Sequence, residues 1–145
     1  MKSIRLSLPL VLGTLVSVAI IPAAIADISV VVSSKSAATP LSADQVAQVF
    51  AGKASAFADG RKTRLLDLPD SSAARSEFYT KSAGRNISQI KAYWARIVFT
   101  GKGQAPAVVA DADAVKKAVA ADPNTVGYID SGKVDASVKV IATVK

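Results

Sequence analysis

The sequence predicts an α/β layer fold, a mostly parallel sheet flanked by helices, on three observations. Short β-branched runs alternate with amphipathic stretches along the chain. The helical stretches open on serine, aspartate or asparagine and mostly close on glycine, so their ends are marked as well as their faces. Beyond an apolar leader, 119 of the 145 residues remain, a length that suits one domain. No internal repeat or low-complexity tract divides them.

The leader occupies residues 1–26. Lys2 and Arg5 precede an uncharged run from Leu6 to Ala26, and Ala24-Ile25-Ala26 fits signal-peptidase cleavage before Asp27. A retained membrane anchor is the competing reading, since roughly 20 apolar residues span a bilayer. Pro9, Gly13 and Pro22 interrupt the run and favour cleavage. The expectation is an exported, periplasmic protein whose mature α/β domain covers residues 27–145.

The elements follow in order. Ile28-Ser29-Val30-Val31-Val32-Ser33 is β-branched and mostly apolar, the pattern of a buried strand. Ser42 then starts a helix: its hydroxyl suits the N3 amide, Gln45 reaches back, and Leu41 staples onto Val46. Val46, Val49 and Phe50 form its inner face, and Gly52 ends it. Arg64–Leu68 reads as a second strand. Asp70-Ser71-Ser72 is a cap cluster for a helix running to about Lys81, with Phe78 and Tyr79 available for burial and Gly84 as its stop.

A third helix restarts at Asn86-Ile87-Ser88. Ile90, Tyr93, Trp94, Ile97 and Val98 follow the i, i+3, i+4, i+7, i+8 pattern, and Tyr93, Trp94 and Phe99 read as core. Pro106–Val109 is a short strand. Asp111 or Asp113 caps a fourth helix carrying Val115, Ala118 and Val119, which Asp122-Pro123 stops. Val126–Ile129 and Val138–Ile141 complete the strands.

Composition excludes several chemistries. The chain has no Cys and no His, which rules out thiol nucleophiles, disulfides, Cys/His zinc sites and imidazole acid–base catalysis. Glu77 is the only glutamate. Formal charge is +7 for the whole chain, from 18 basic and 11 acidic residues, and its mean hydropathy is +0.33. Without the leader, 16 basic and 11 acidic side chains leave +5. A basic chain raises the question of nucleic acid, but export, the modest charge and the lack of basic runs interleaved with aromatics argue against it.

Taken together, several segments resemble a known family. Leu41-Ser42 through Phe50-Ala51-Gly52-Lys53 is similar to the "L-S … F-x-G-K" segment of phosphate-binding proteins serving ABC importers. Asp70-Ser71-Ser72-Ala73-Ala74-Arg75 with Phe78 resembles that family's serine-rich helix start followed by "R-x-x-F". Tyr93-Trp94, Phe99-Thr100-Gly101 and Val126-Gly127-Tyr128-Ile129 fit its short, single-lobe relatives. The resemblance implies a single periplasmic-binding-protein-like lobe that binds phosphate or a similar oxyanion without a cofactor. Its partner would be an ABC transporter membrane component or a second copy of the chain, since two-lobed relatives close on their ligand. Ser72 and Ala73 stand where those relatives carry Gly and Thr.

The candidate ligand residues are Ser71, Ser72 and Arg75, with Ser33 and Ser34. A helix N-terminus offers unpaired N–H groups and about half a positive charge. Serine hydroxyls add donors there, and an arginine one turn in brings a fork suited to oxyanions. The competing reading makes Asp70 the cap of those amides and Arg75 a solvated helix residue. Ser33-Ser34-Lys35-Ser36 follows the first strand, and ligands gather at strand carboxyl ends, so these hydroxyls are expected in the same crevice unless they form a plain polar loop.

Three further patterns carry less. Lys53, Arg61, Lys62 and Arg64 either steer anions or form a solvated face. Gly101-Lys102-Gly103 lacks the ending of a phosphate loop and follows a helix. Ser88-Gln-Ile-Lys91 has a serine–lysine spacing without its partner motifs, and Ser88 reads as a helix cap. The sequence therefore points to a non-enzymatic oxyanion-binding module. The alternative is an envelope interaction or structural protein that keeps the lobe without a small ligand.

Overall fold

The structure is a computed structural model that describes Ala19 and residues 27–145. Apart from Ala19, the expected export signal at 1–26 lies outside the described residues. No described helix is long and apolar enough to cross a membrane.

Each helix forms where its ends are chemically marked. Helix α1 (Ala43–Phe50) begins at Ser42, whose hydroxyl accepts the Gln45 N–H at 3.2 Å while the Ser42 N–H donates to Gln45 Oε1 at 2.8 Å. Helix α2 (Ala73–Ala83) starts at Ser72 and ends at Gly84 in the left-handed region. Helix α3 (Ile87–Phe99) has a second reciprocal cap, Asn86 with Gln89. Ser88, expected as that cap, is therefore a residue of the first turn: Asn86 precedes it and already supplies the accepting oxygen. Helix α4 (Ala112–Ala121) is capped by Asp111, not Asp113, through the Ala114 N–H at 2.9 Å.

Among the described residues, five strands make one sheet in the order β3-β2-β4-β1-β5: β1 is Ile28–Ser33, β2 Arg64–Asp67, β3 Ala107–Val108, β4 Thr125–Asp130 and β5 Val138–Val144. Strand β2 pairs in parallel with β3 and β4, whereas β1 pairs antiparallel with β4 and β5. Four strands thus run one way, and β1 alone runs against them. The mostly parallel sheet agrees with the alternation of strands and helices, and the lone reversal matters for the site.

Both faces of the sheet are covered, which explains why all six residues of β1 are buried. On one face Phe50 of α1 and Phe78 of α2 pack on Tyr128 of β4. The Phe78 and Tyr128 rings stack at 4.0 Å, and Phe50 meets Phe78 edge-on at 4.7 Å. On the other face α4 lies so close that a Cβ on Gly127 would fall 2.6 Å from Val115 Cγ1. Adjacent residues of β4 therefore face opposite layers, a consequence of the period of two.

Helix α3 buries Ile90 and Trp94, with Tyr93 and Ile97 half-buried. Phe99, expected in the core, is 92% exposed. It lies nine residues beyond Ile90, and at about 100° per residue that is half a turn from the buried stripe. Trp94 also explains Gly52, which ends α1 at φ +71 with the indole 3.0 Å from where a Cβ would stand.

Replacing Gly127 by alanine forces a methyl into the contact between β4 and α4. The expected loss of stability is about 1–3 kcal/mol, read from urea denaturation.

Candidate anion-binding site

The residues expected to bind a ligand divide between two ends of the sheet. Ser71, Ser72 and Arg75 follow β2, at its carboxyl end. Ser33 ends β1, and the register pairs Val32 with Val126, at the start of β4, and Leu65 with that same Val126. Ser33 and Ser34 thus sit at the amino end of β2 and β4. The shared crevice expected for them is corrected: it assumed that β1 ran with its neighbours, and β1 runs the other way. Ser33 is buried and accepts the Lys35 N–H at 3.2 Å, while Ser34 is exposed in the turn.

The α2 end is built around Asp67, the last residue of β2. Its Oδ1 accepts the Leu68 N–H at 2.8 Å and the Tyr128 hydroxyl. Its Oδ2 accepts the Tyr79 hydroxyl at 2.9 Å and faces Arg75 Nη2 at 3.2 Å. Three hydrogen bonds and one ion pair thereby surround a single carboxylate. Burial, followed by the Asp67 charge, pushes the Tyr79 and Tyr128 phenols well above the usual tyrosine value.

Arg75 differs from both expectations. It is neither a solvated helix residue nor a free fork, because its side chain is 7% exposed and ion-paired at both ends. Nη2 takes Asp67 and Nη1 takes Asp70. The guanidinium also lies over the Tyr79 ring, and its buried Nε has no hydrogen-bond partner among the described residues. Burial works against the charge, yet Asp67, the two phenols and Asp70 hold the guanidinium above its ordinary value.

Asp70 does not cap the helix. The Ser72 hydroxyl accepts the Arg75 N–H at 3.3 Å, and Ser71 is exposed beside it. Asp70 instead bridges two helices, with Oδ1 on Arg75 and Oδ2 on Lys91 Nζ of α3 at 2.7 Å. The Lys91 hydrogen bond, helped by both cationic charges, holds Asp70 below the usual carboxylate range. Arg75 and Lys91 against Asp67 and Asp70 make the cluster neutral. The side chain of Asp70 is 56% exposed, so of the two carboxylates on Arg75 only this one can swing into water.

Sequence reasoning missed Asp67, Tyr79, Tyr128 and Lys91 as parts of this cluster. The signal for Asp67 was available: one charged residue inside Leu65-Leu66-Asp67-Leu68 demands buried partners. No group of three acidic side chains among the described residues could hold a metal ion.

Helices on both faces of a largely parallel sheet, with a charged cluster at one helix N-terminus, place the chain in the class of α/β lobes. Solved structures make that class particular. The chain superposes on an ABC-type phosphate transport receptor from Vibrio cholerae with a TM-score of 0.61 at 23% identity, covering 80% of this chain and 46% of that one. A phosphate ABC transporter substrate-binding protein from Clostridium perfringens, solved with bound phosphate, gives 0.64 at 17% identity, covering 80% and 45%. PstS from Borrelia burgdorferi gives 0.58 at 17%, covering 81% and 47%. The likeness is one of fold, and the chain spans less than half the length of each. No family model and no curated protein matches the sequence.

Two outcomes test the cluster. Asp67→Ala strands a buried guanidinium and two phenols, and should cost about 3–5 kcal/mol in urea denaturation. The raised phenol values mean that the folded state binds more protons than the unfolded state above pH ~10. Stability is therefore complete below that pH and falls as the pH rises towards the folded-state values. The urea midpoint should drop from about pH 9 to 11, and Tyr79→Phe should flatten the drop.

Proposed function

We propose that the protein is an exported, non-catalytic solute-binding module, one lobe in size, that takes phosphate or a similar oxyanion at the N-terminal end of α2. The observation that carries this reading is the state of Arg75. Its guanidinium lies one turn inside the helix start, with an exposed carboxylate, Asp70, on Nη1. A helix N-terminus with a buried arginine is chemically suited to a tetrahedral anion, and here a side chain of the protein occupies the position. Phosphate would displace Asp70, bind Arg75 Nη1 and Lys91, and take further donors from the Ser71 and Ser72 region. Ser33 and Ser34, at the other end of the sheet, do not belong to this site.

The fold likeness supports the same class, since two of the neighbours named above are described as phosphate transport proteins. A lobe of this length gives the ligand one wall. The second wall would come from an ABC transporter membrane component or from another copy of the chain.

A second reading is favoured by the neutrality of the cluster: Asp67 and Asp70 balance Arg75 and Lys91, so the folded protein needs no anion there. On that reading the lobe serves interaction within the cell envelope. Calorimetric titration with phosphate and sulfate separates the two. The binding reading expects weak heat for the native protein and an affinity gain of about tenfold in Asp70→Ala, equivalent to ~1.4 kcal/mol. No heat from either protein at millimolar anion would leave the interaction reading.

A further inference from the structure

Outside the α2 cluster, a wide concavity lies at the opposite end of β2 and β3. It has a volume of about 1240 Å³, larger than the roughly 300–1,000 Å³ of small-molecule pockets. Two sequence features that lie some forty residues apart meet in it. One wall is the segment after α1, with Lys53, Lys62 and Arg64; the other is the turn after α3, with Lys102. None of these four cations has a carboxylate partner among the described residues, and no acidic side chain lines the cavity. Arg61, also in the lining, is neutralised by Asp59 at 2.5 Å.

The charge is concentrated on this part of the chain. Residues 41–110 hold ten basic and five acidic side chains, whereas the remainder of 27–145 has six of each. The whole +5 of residues 27–145 therefore lies in the segment that builds the groove. Such a field attracts anionic partners and raises their association rate.

The floor and rim narrow the kind of anion. Trp94 and Ile97 supply an apolar floor, but Trp94 is buried and the Tyr93 ring lies under Arg85 and Arg96, so neither ring of the lining is free to stack on a base. The cavity is concave, where a membrane surface is flat. At its end stands β3, the edge strand of the sheet. The Val109 N–H donates to the Asp67 carbonyl at 2.9 Å, so Val108, one residue before it, turns its own N–H and C=O outward. An exposed strand edge is a template for an added extended chain.

We infer that the groove between the Lys53–Arg64 segment and the Gly101–Pro106 turn docks an extended acidic peptide segment of a partner protein, which adds to the free edge of β3. Carboxylates on one side of the segment meet Lys62, Arg64 and Lys102, and alternate apolar side chains meet the Trp94–Ile97 floor. This surface is separate from the α2 cluster and does not depend on phosphate binding.

Trp94, the only tryptophan, reports on the groove. Its emission should change saturably with an octapeptide alternating Glu and Val, and remain unchanged with the Lys/Val counterpart. The response should fade between about 20 and 200 mM salt, as the Debye length shrinks below ~10 Å. The Val108 amide should gain protection from hydrogen exchange. Lys62→Glu/Lys102→Glu, on exposed positions that leave the fold intact by circular dichroism, should weaken binding at least about tenfold. Asp70→Ala should leave it unchanged, which separates this outcome from the phosphate titration. No response to the acidic peptide, an undiminished response in the double variant, or equal binding of phosphatidylglycerol vesicles or an oligothymidylate would overturn the assignment.

Discussion

The carboxylate of Asp67 is the group on which the arrangement of the lobe depends. It sits at the end of β2, buried, and accepts from the Leu68 backbone, from Tyr128 of β4 and from Tyr79 of α2, with Arg75 of α2 ion-paired beside it. Left alone, such a charge would be expensive to bury; with three hydrogen bonds and an ion pair around it, it fixes which way α2 lies across the strands. The stacked Phe78 and Tyr128 rings supply the apolar contact, and the carboxylate supplies the orientation. Apolar packing by itself is non-directional, so the polar network selects one among several ways of laying the helix on the sheet.

That network also sets the chemistry available at the helix start. Because Asp67 holds one arm of Arg75 inside the fold, only Nη1 faces an exchangeable partner, and Asp70 occupies it. The outer arm of Arg75 is thus covered by a single half-exposed side chain, and Lys91 from the next helix holds that side chain in place.

The two ends of the sheet differ in electrostatic character. At the carboxyl end of β2, cations and carboxylates are matched within the fold. At its amino end, Lys53, Lys62, Arg64 and Lys102 surround an open groove with no acid among its lining residues. The asymmetry arises because the groove is lined by Lys53, Arg61, Lys62, Arg64 and Lys102 without an acid, while Asp67 and Asp70 belong to the other end.

Residue type and spacing are enough to specify whatever rests on contacts a few residues apart. Ser42 with Gln45, Asn86 with Gln89, the Ser72 cap and the Gly84 stop are closed within one turn, so residue type and spacing specify them. The strands from Ile28, Arg64, Val126 and Val138 were legible from residue type and spacing, and their alternation with helices gave the mixed fold. The tertiary structure alone decided the direction of β1, which sent Ser33 and Ser34 to the end away from Arg75. It also decided the partners of Asp67, which lie 12 and 61 residues along the chain in Tyr79 and Tyr128. Phe99 turned outward because the phase of α3 is set by what packs on Ile90 and Trp94, and Lys62 met Lys102 only because β2 and β3 pair. Caps and periodicity are enforced by short-range hydrogen bonds and sterics, whereas strand direction and charge pairing depend on how distant segments return to one another, which local spacing does not encode.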